Sequence, residues 1–517
     1  MNKFLKKAEG FVTSRGFSAG VVTALVIALV IVANVIIYTV TSLLNLSLTV
    51  PMELDYGISG VTDDMFAAAE EKGEKVTITF CMAEEDLEVH TTGKYVLATA
   101  RAYADRYSFV ELRFVNLLTQ MDEDGRLVKN LSKYQKDMKG NENPLRTHSV
   151  IFEHEGGNYR VLTDTYTSVG FGGFFTLDSS GTARAYSGEE IIASMISWVL
   201  QRNDQRKTVY FTENHGETVD VTFGNLLTAA GYYIETVNLR TIGTIPEDAA
   251  FVAISNPTTD FERAAEGSGV YTELECLENY LKNGNGGKGG KLYVAIDPYA
   301  EKLDNLESFL KEYGITLVGG EGEFGYAREI VLDPSEAIAT DSLSFIATYG
   351  EGEMSKKIVS NFEKYDTGRV LLSQVCRLDL DGSKGAEAML KSSSTSSTML
   401  AGSAADDGGE YAVAAYSSRD EGEGARSEVF VIPSVLMTNS DILVSGGYSN
   451  RDYMYSMLNE IFLSDTAIYG TKSIIYDSGI VENLTQRMAT VYTVILVSIP
   501  VVLAAVGVIV VVRRKRR

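Results

Sequence analysis

Two long uncharged apolar stretches, one near each end of the 517-residue chain, constrain its fold more than any other feature. No charged residue lies between Arg15 and Glu53, and 19–44 is almost continuously apolar. Twenty such residues coiled as a helix cover about 30 Å, the thickness of a bilayer's hydrocarbon core. A signal peptide has a shorter apolar region, about 7–15 residues, ending in a small-residue cleavage site, and neither fits here. The second stretch, 488–512, runs straight into Arg513, Arg514, Lys515, Arg516 and Arg517. Pro500 sits in its middle, where it would free a backbone carbonyl and kink a helix. Basic residues flank both stretches on the terminal side. The positive-inside rule therefore predicts a two-pass protein of the cell membrane, both termini cytoplasmic, with residues 46–487 extracytoplasmic. Apart from Tyr38 and Tyr492 neither stretch holds an ionisable residue, so neither suits an ion path. They are expected to act as anchors, or to dock on a partner's helices through small residues such as Ala19, Gly20 and Ala24.

Charge excludes one broad class of partner. The chain has 46 basic and 69 acidic residues, a net charge of −23. With residues 1–18 (four basic, one acidic) and 513–517 (five basic) set aside, 37 basic and 68 acidic residues remain, a balance of −31. Such a body repels a phosphate backbone, so no nucleic-acid partner is expected. Cys81, Cys276 and Cys376 are too few and too scattered for a disulfide framework, and none forms a CxxC pair for redox or zinc chemistry.

Between the apolar stretches the pattern is that of alternating strands and helices. Residues 75–81 (KVTITFC) and 108–115 alternate with the two-residue period of strands, and 91–107 between them has helical spacing. Together they predict a βαβ unit. Gly156-Gly157 separates two further strands, 148–153 and 159–162, as a hairpin. Ser187 with Glu190 three residues on reads as a capping box opening a helix to about residue 200. A second series follows: strands at 207–212, 233–238, 250–255, 291–296 and 315–318, and helices at 219–230, 272–282 and 302–313. This alternation predicts a doubly wound, mostly parallel sheet covered by helices on both faces. From 381 to 427 the composition loosens into Ser/Gly-rich runs such as 392–398 (SSSTSST), which read as a flexible insert. Residues 282–290 (KNGNGGKGG) read as a mobile glycine loop.

In a doubly wound sheet functional groups gather at the carboxyl ends of strands. The residues there are His215 and Glu217, Asn256 and Asp260, and Asp297, which together form the candidate binding crevice. His215 is placed either to hold a ligand or, with Asn214 and Glu217, to cap the next helix and satisfy loop amides. Asp297 equally suits an N-cap ahead of the next helix. His90, His148 and His154 lack ligand spacing. The run 169–175 (VGFGGFF) is either an exposed contact loop or core. No GxxxxGK[ST] loop, GxSxG elbow or HExxH motif occurs, so neither ATP hydrolysis nor those hydrolytic chemistries are expected. No catalytic residue, cofactor or metal is assigned.

Several short motifs occur in order: VYFTENHGE at 209–217, Gly231-Tyr232, Ile245-Pro246, Ser255-Asn256-Pro257 followed by Asp260, Tyr280-Leu281, Ile296-Asp297-Pro298, and Asn450-Arg451 ahead of a helix. Taken together the chain resembles the GldG-like auxiliary subunits of ABC transport systems, a family named for gliding motility. Asn214 stands where that family has glycine, and the turn at 282–290 is longer. The resemblance implies an α/β fold: two transmembrane helices flanking an extracytoplasmic region. That region would join a thioredoxin-like α/β unit lacking its dithiol to a flavodoxin-like parallel-sheet sandwich, of the class I glutamine amidotransferase-like kind. The expected divisions are a basic cytoplasmic segment 1–18, a first span 19–44, the thioredoxin-like unit 46–203 and the doubly wound domain 205–380. The insert 381–427, a closing strand-loop-helix 428–487, a second span 488–512 and a basic tail 513–517 complete the chain. An amidotransferase would need a cysteine nucleophile at a tight elbow, and none of the three cysteines has that setting. The implied function is a non-enzymatic membrane-anchored subunit that receives or gates an envelope-associated substrate, partnered by an ABC permease and an ATPase. A membrane-tethered hydrolase centred on His215 and Glu217, or an envelope scaffold binding protein or cell-wall polymer, are the alternatives.

Overall fold

A computed structural model describes residues 56–475, apart from 121–128, 139, 141, 164–171, 178–182, 202–206, 266–268, 270, 324, 339–341, 364–367, 435, 444–447, 465–467 and 472. Among the described residues no helix is long and apolar enough to cross a membrane. The longest, Glu273–Gly287, has 15 residues and carries Glu275, Glu278 and Lys282. At 1.5 Å per residue it falls short of the roughly 30 Å hydrocarbon core. This corrects the expected fold of two flanking transmembrane helices, and with it the two-pass placement in the cell membrane. The stretches on which those expectations rested, 19–44 and 488–512, lie outside the described residues, as do the basic ends.

The first α/β unit comprises α1 (Asp63–Lys72), β1 (Val76–Phe80), α2 (Glu84–Val89), α3 (Gly93–Arg106), β2 (Val110–Phe114), β3 (Val150–His154), β4 (Tyr159–Leu162), β5 (Phe175–Leu177), β6 (Ala183–Tyr186) and α4 (Gly188–Leu200). Its main sheet has the order β2-β1-β3-β4. β1 and β2 run parallel with α3 as crossover, β3 runs antiparallel to β1, and β4 antiparallel to β3. The alternation seen in sequence sets the layering. Val76, Ile78 and Phe80 enter one core with Val96 and Ala100 of α3 and Ile192 and Ile196 of α4. Cys81 and Ile151 face a smaller cluster with Leu117, Leu131 and Tyr134. Phe174 and Phe175, from the glycine-aromatic run, are buried. The capping box expected at Ser187 does not form. Glu190 instead accepts hydrogen bonds from Arg451 Nη1 at 2.7 Å and Tyr455 Oη at 2.6 Å, far along the chain.

The second series contributes β7 (Thr208–Thr212), α5 (Val221–Ala229), β8 (Tyr233–Val237), β9 (Ala249–Ser255), α6 (Glu273–Gly287), β10 (Lys291–Ala295) and α7 (Asp304–Glu312). Next come β11 (Ile315–Leu317), β12 (Gly319–Gly322), β13 (Gly325–Leu332), β14 (Ser344–Ile346), β15 (Thr348–Tyr349), α8 (Glu353–Phe362), β16 (Leu371–Ser373) and β17 (Leu378–Leu380). Then follow β18 (Ala386–Lys391), β19 (Ser396–Leu400), β20 (Ser403–Gly409), β21 (Ala412–Gly422), β22 (Ala425–Ile432), α9 (Asn450–Glu460) and β23 (Ile474–Ile475). The large sheet has the order β11-β17-β21-β22-β10-β9-β7-β8, with β18 beside β21 and β15 beside β18. β8, β7, β9, β10 and β22 are parallel. β21, β17 and β11 extend the sheet antiparallel. The chain steps outward from β7 to β8 and then back across to β9, so the topological switch point lies between β7 and β9.

Both faces of this sheet are covered, which explains the near-continuous apolar strands. Tyr210, Val252, Ile254, Leu292 and Val294 pack with Leu277 and Leu281 of α6 and Phe309 and Leu310 of α7. The alternate residues Val209, Phe211, Phe251, Ala253 and Tyr293 pack with Leu226 of α5, Ile358 of α8 and Tyr453 and Met457 of α9. β23 pairs with β6, and the ring of Tyr56 lies 5.4 Å from that of Tyr186, so both ends of the described body meet at β6.

Two segments expected to be flexible carry regular structure and hydrogen bonds. The supposed insert at 381–427 is strand from β18 to the start of β22. Its small hydroxyls are consumed by hydrogen bonds: Ser393 N and Oγ donate to Asp333 at 2.7 and 2.8 Å, and Thr398 Oγ1 donates to Glu329 at 3.0 Å. Its glycines serve turns, with Gly402 and Gly424 at positive φ. The glycine turn at 282–290 is bonded to β22 at its far end, where Arg426 N donates to the Lys288 carbonyl and Glu428 N to the Gly290 carbonyl. Gly289 has φ +90°, and a Cβ there would sit 2.0 Å from the Arg426 carbonyl oxygen. Gly289→Ala is therefore expected to lower stability by more than about 1 kcal/mol. Gly286→Ala, also at positive φ but facing open space, should cost less, as compared by urea denaturation of the full chain.

Candidate functional site

The switch point brings the loop after β7 against the loop after β9. Asn214 and Gly216 adopt φ of +83° and +73°, conformations that L side chains other than asparagine rarely tolerate. They turn the His215 carbonyl toward the second loop, where it accepts from Thr258 N at 2.7 Å and Thr259 N at 3.0 Å. The approach is close enough that a Cβ on Gly216 would meet Thr258 Oγ1 at 2.1 Å. Thr218 N donates to the Ser255 carbonyl, Ser255 Oγ donates back to the Thr218 carbonyl, and Asn256 Nδ2 donates to Thr218 Oγ1 at 2.7 Å. The space in which a ligand would sit is crossed by these bonds.

His215 lies beneath them, 1% exposed. Its Nδ1 is 3.0 Å from Glu217 Oε1 and its Nε2 is 3.1 Å from Glu273 Oε2. Its ring stacks on Phe261 with centroids 3.8 Å apart. Glu273, the first residue of α6, also accepts from Arg240 Nε at 3.0 Å and Glu262 N at 2.7 Å. Burial works against the imidazolium, but the hydrogen bonds to Glu217 and Glu273 outweigh it and hold His215 above its usual value. Burial likewise opposes the Glu217 carboxylate, yet the His215 contact and backbone amides hold its pKa below the usual range.

The other candidates are turned to structural use. Asp260 accepts from Asn305 N at 2.7 Å and Leu306 N at 3.1 Å, capping α7. Asp297 accepts from Tyr299 N at 2.9 Å within its own loop. That loop is pinned by Arg328, whose side chain is 0% exposed. Arg328 donates to the carbonyls of Asp297, Ala300 and Glu301 and to Glu307 Oε1 at 2.6 Å. The structure thus joins His215 to Glu217 and ties Asn256 to the same pair of loops, whereas Asp260 and Asp297 serve α7 and the loop after β10. Glu273, Arg240, Phe261 and Arg328 were not singled out by sequence. Glu273 looks there like any acidic residue in a first helical turn, and nothing in the pattern marks Arg328.

Two further sets of titratable groups among the described residues bear on chemistry. The three thiols are free and buried. Burial pushes Cys81 and Cys376 up to about 12 and raises Cys276 as well, so none supplies a thiolate at neutral pH. Among the described residues Glu74, His154 and Glu155 lie close enough to share a metal ion. Gly156 N, however, donates to His154 Nδ1 at 3.1 Å, and Nε2 lies 2.7 Å from Glu74 Oε2. A neutral ring so held carries its proton on Nε2. Metal ligation there would need the proton on Nδ1, facing an N–H.

Fold and site together define a mixed α/β body of several sheets, with its switch-point loops bonded to one another. No protein-family model matches the chain, and no curated protein matches it. A solved structure of the mmIFT52 N-terminal domain is similar over 49% of this chain and 97% of that one, at 16% identity and a TM-score of 0.35.

Proposed function

We propose that the chain is a non-enzymatic auxiliary subunit of an ABC transport system, working by binding and not by catalysis. The observation that carries the non-enzymatic part is the engagement of His215. Both its ring nitrogens face carboxylates, and its carbonyl ties the loop after β7 to the loop after β9. A general base needs a free nitrogen within reach of a substrate proton, and a hydrolase centred on His215 and Glu217 has none. The transport class rests on the ordered motifs from 209–217 to 296–298 that resemble GldG-like subunits. Its partners in this reading are a permease and an ATPase, and its α/β body receives or gates the substrate. Affinity capture of the tagged full chain from gently solubilised cells is expected to recover a multi-span permease and an ATPase. Repeated recovery of the chain alone, or with cell-wall polymer only, overturns the proposal.

A further inference from the structure

We infer that the proton on His215 is a latch: the imidazolium ties the loop after β7 to the start of α6 and holds the switch-point crevice shut, and loss of that proton releases the loop. The inference does not depend on the transporter reading. It follows from counting hydrogens. Nδ1 and Nε2 each face a carboxylate oxygen, at 3.0 and 3.1 Å. A neutral imidazole carries one N–H, so its bare nitrogen would point a lone pair at a carboxylate lone pair. The imidazolium alone donates to both.

The charges around the ring come from every element packed on it. Glu217 faces it from the same loop and Glu273 from α6. Behind Glu273 stands Arg240, from the segment after β8, which also pairs with Glu262 at 3.1 Å. The loop after β9 contributes the uncharged face of Phe261. With the ring charged, His215 and Arg240 balance Glu217 and Glu273. With it neutral, Glu273 keeps the half-exposed Arg240 while Glu217 keeps the His215 amide but not the imidazolium, and the inner cluster is left negative in a poorly hydrated site. The departing proton goes to solvent, and only hydrogen bonds break. Since the two carboxylates hold the imidazolium above its ordinary titration, the latch stays closed through the ordinary histidine range and opens as pH rises through the raised value. What it uncovers is the space between β7 and β9, where a sheet of this topology takes its ligands.

The test uses the full chain with labelled histidines, four in number. Histidine ring resonances are followed by NMR from pH 5 to 10, and hydrogen exchange of 213–218 and 256–262 is measured over the same range and corrected for intrinsic rate. His215 is expected to titrate above about 6.5, the unperturbed value. Protection of both loops should fall about tenfold or more through that midpoint while β10 stays protected. Glu217→Gln should lower the midpoint by removing one carboxylate. Arg240→Gln, at a half-exposed position, should raise it by leaving Glu273 more negative. A midpoint at or below 6.5, loop protection unchanged through the titration, or a midpoint unmoved by either variant would each overturn the latch.

Discussion

His215→Ala is expected to destabilise the folded body by about 3–5 kcal/mol, the usual cost of removing one partner from a buried charge cluster. The cost arises from what is left behind. Glu217 and Glu273, with side chains 6% and 1% exposed, would keep their charges in a site that water scarcely reaches. Glu273 retains Arg240 and the amide of Glu262, which is why the loss should fall short of that for an isolated ion. Adding Glu217→Gln to His215→Ala should recover part of it, because the second change removes the stranded charge, and a double-mutant cycle measures the coupling. The effect has a defined pH window. The folded value of His215 is raised, so its contribution is fully present below about 6.5 and is lost as pH rises through that raised value. The folded value of Glu217 is lowered, so its contribution is present above its ordinary range and is lost as pH falls through the lowered value. The gap between wild type and variant in urea midpoint should be widest between those limits and narrow on either side. Equal midpoints across the whole range would show that the cluster does not hold the loops.

The same cluster shows what a sequence can and cannot disclose. His215 was visible as a position, because a short apolar strand ends just before it and strand ends gather functional groups. Its role was not visible, because the deciding partner, Glu273, lies 58 residues on. Where short apolar runs are bounded by polar or glycine residues, as at Val76, Ile78 and Phe80 or around Tyr210 and Leu292, local pattern sufficed to place the strands. It failed where polar groups are buried by distant bonds. Ser393 sits in a run of serines that reads as linker until Asp333, 60 residues earlier, takes its amide and hydroxyl. Ser187 and Glu190 have the spacing of a capping box, yet Arg451, 261 residues away, claims the carboxylate. The apolar stretches at the two ends gave the strongest local signal of all. No helix among the described residues has the length and apolarity it led one to expect.

Arg328 tests the idea that the strand-end loops are held by interior charge and not by a ligand. Its guanidinium ties three backbone carbonyls of the loop after β10 to Glu307 on α7, a planar fork that no other side chain reproduces. Arg328→Ala is expected to cost about 3–5 kcal/mol, since it strands the Glu307 carboxylate, whose side chain is 11% exposed. It also leaves the carbonyls of Asp297, Ala300 and Glu301 without this donor. Arg328→Lys keeps the charge but has a single point of donation, so it should fall between alanine and wild type. Arg328→Met combined with Glu307→Leu removes both charges and should be less destabilised than Arg328→Ala, because paired replacement spares the buried carboxylate. Urea midpoints of the full-length variants give this order. Hydrogen exchange at 297–301 should rise in all three, most in alanine, because the loop loses its anchor whatever happens to the charge. If exchange there stays at the wild-type level while the midpoint drops, Arg328 supports the core but does not set the loop. The closed form of the strand ends would then have to come from the His215 cluster and the bonds between the loops.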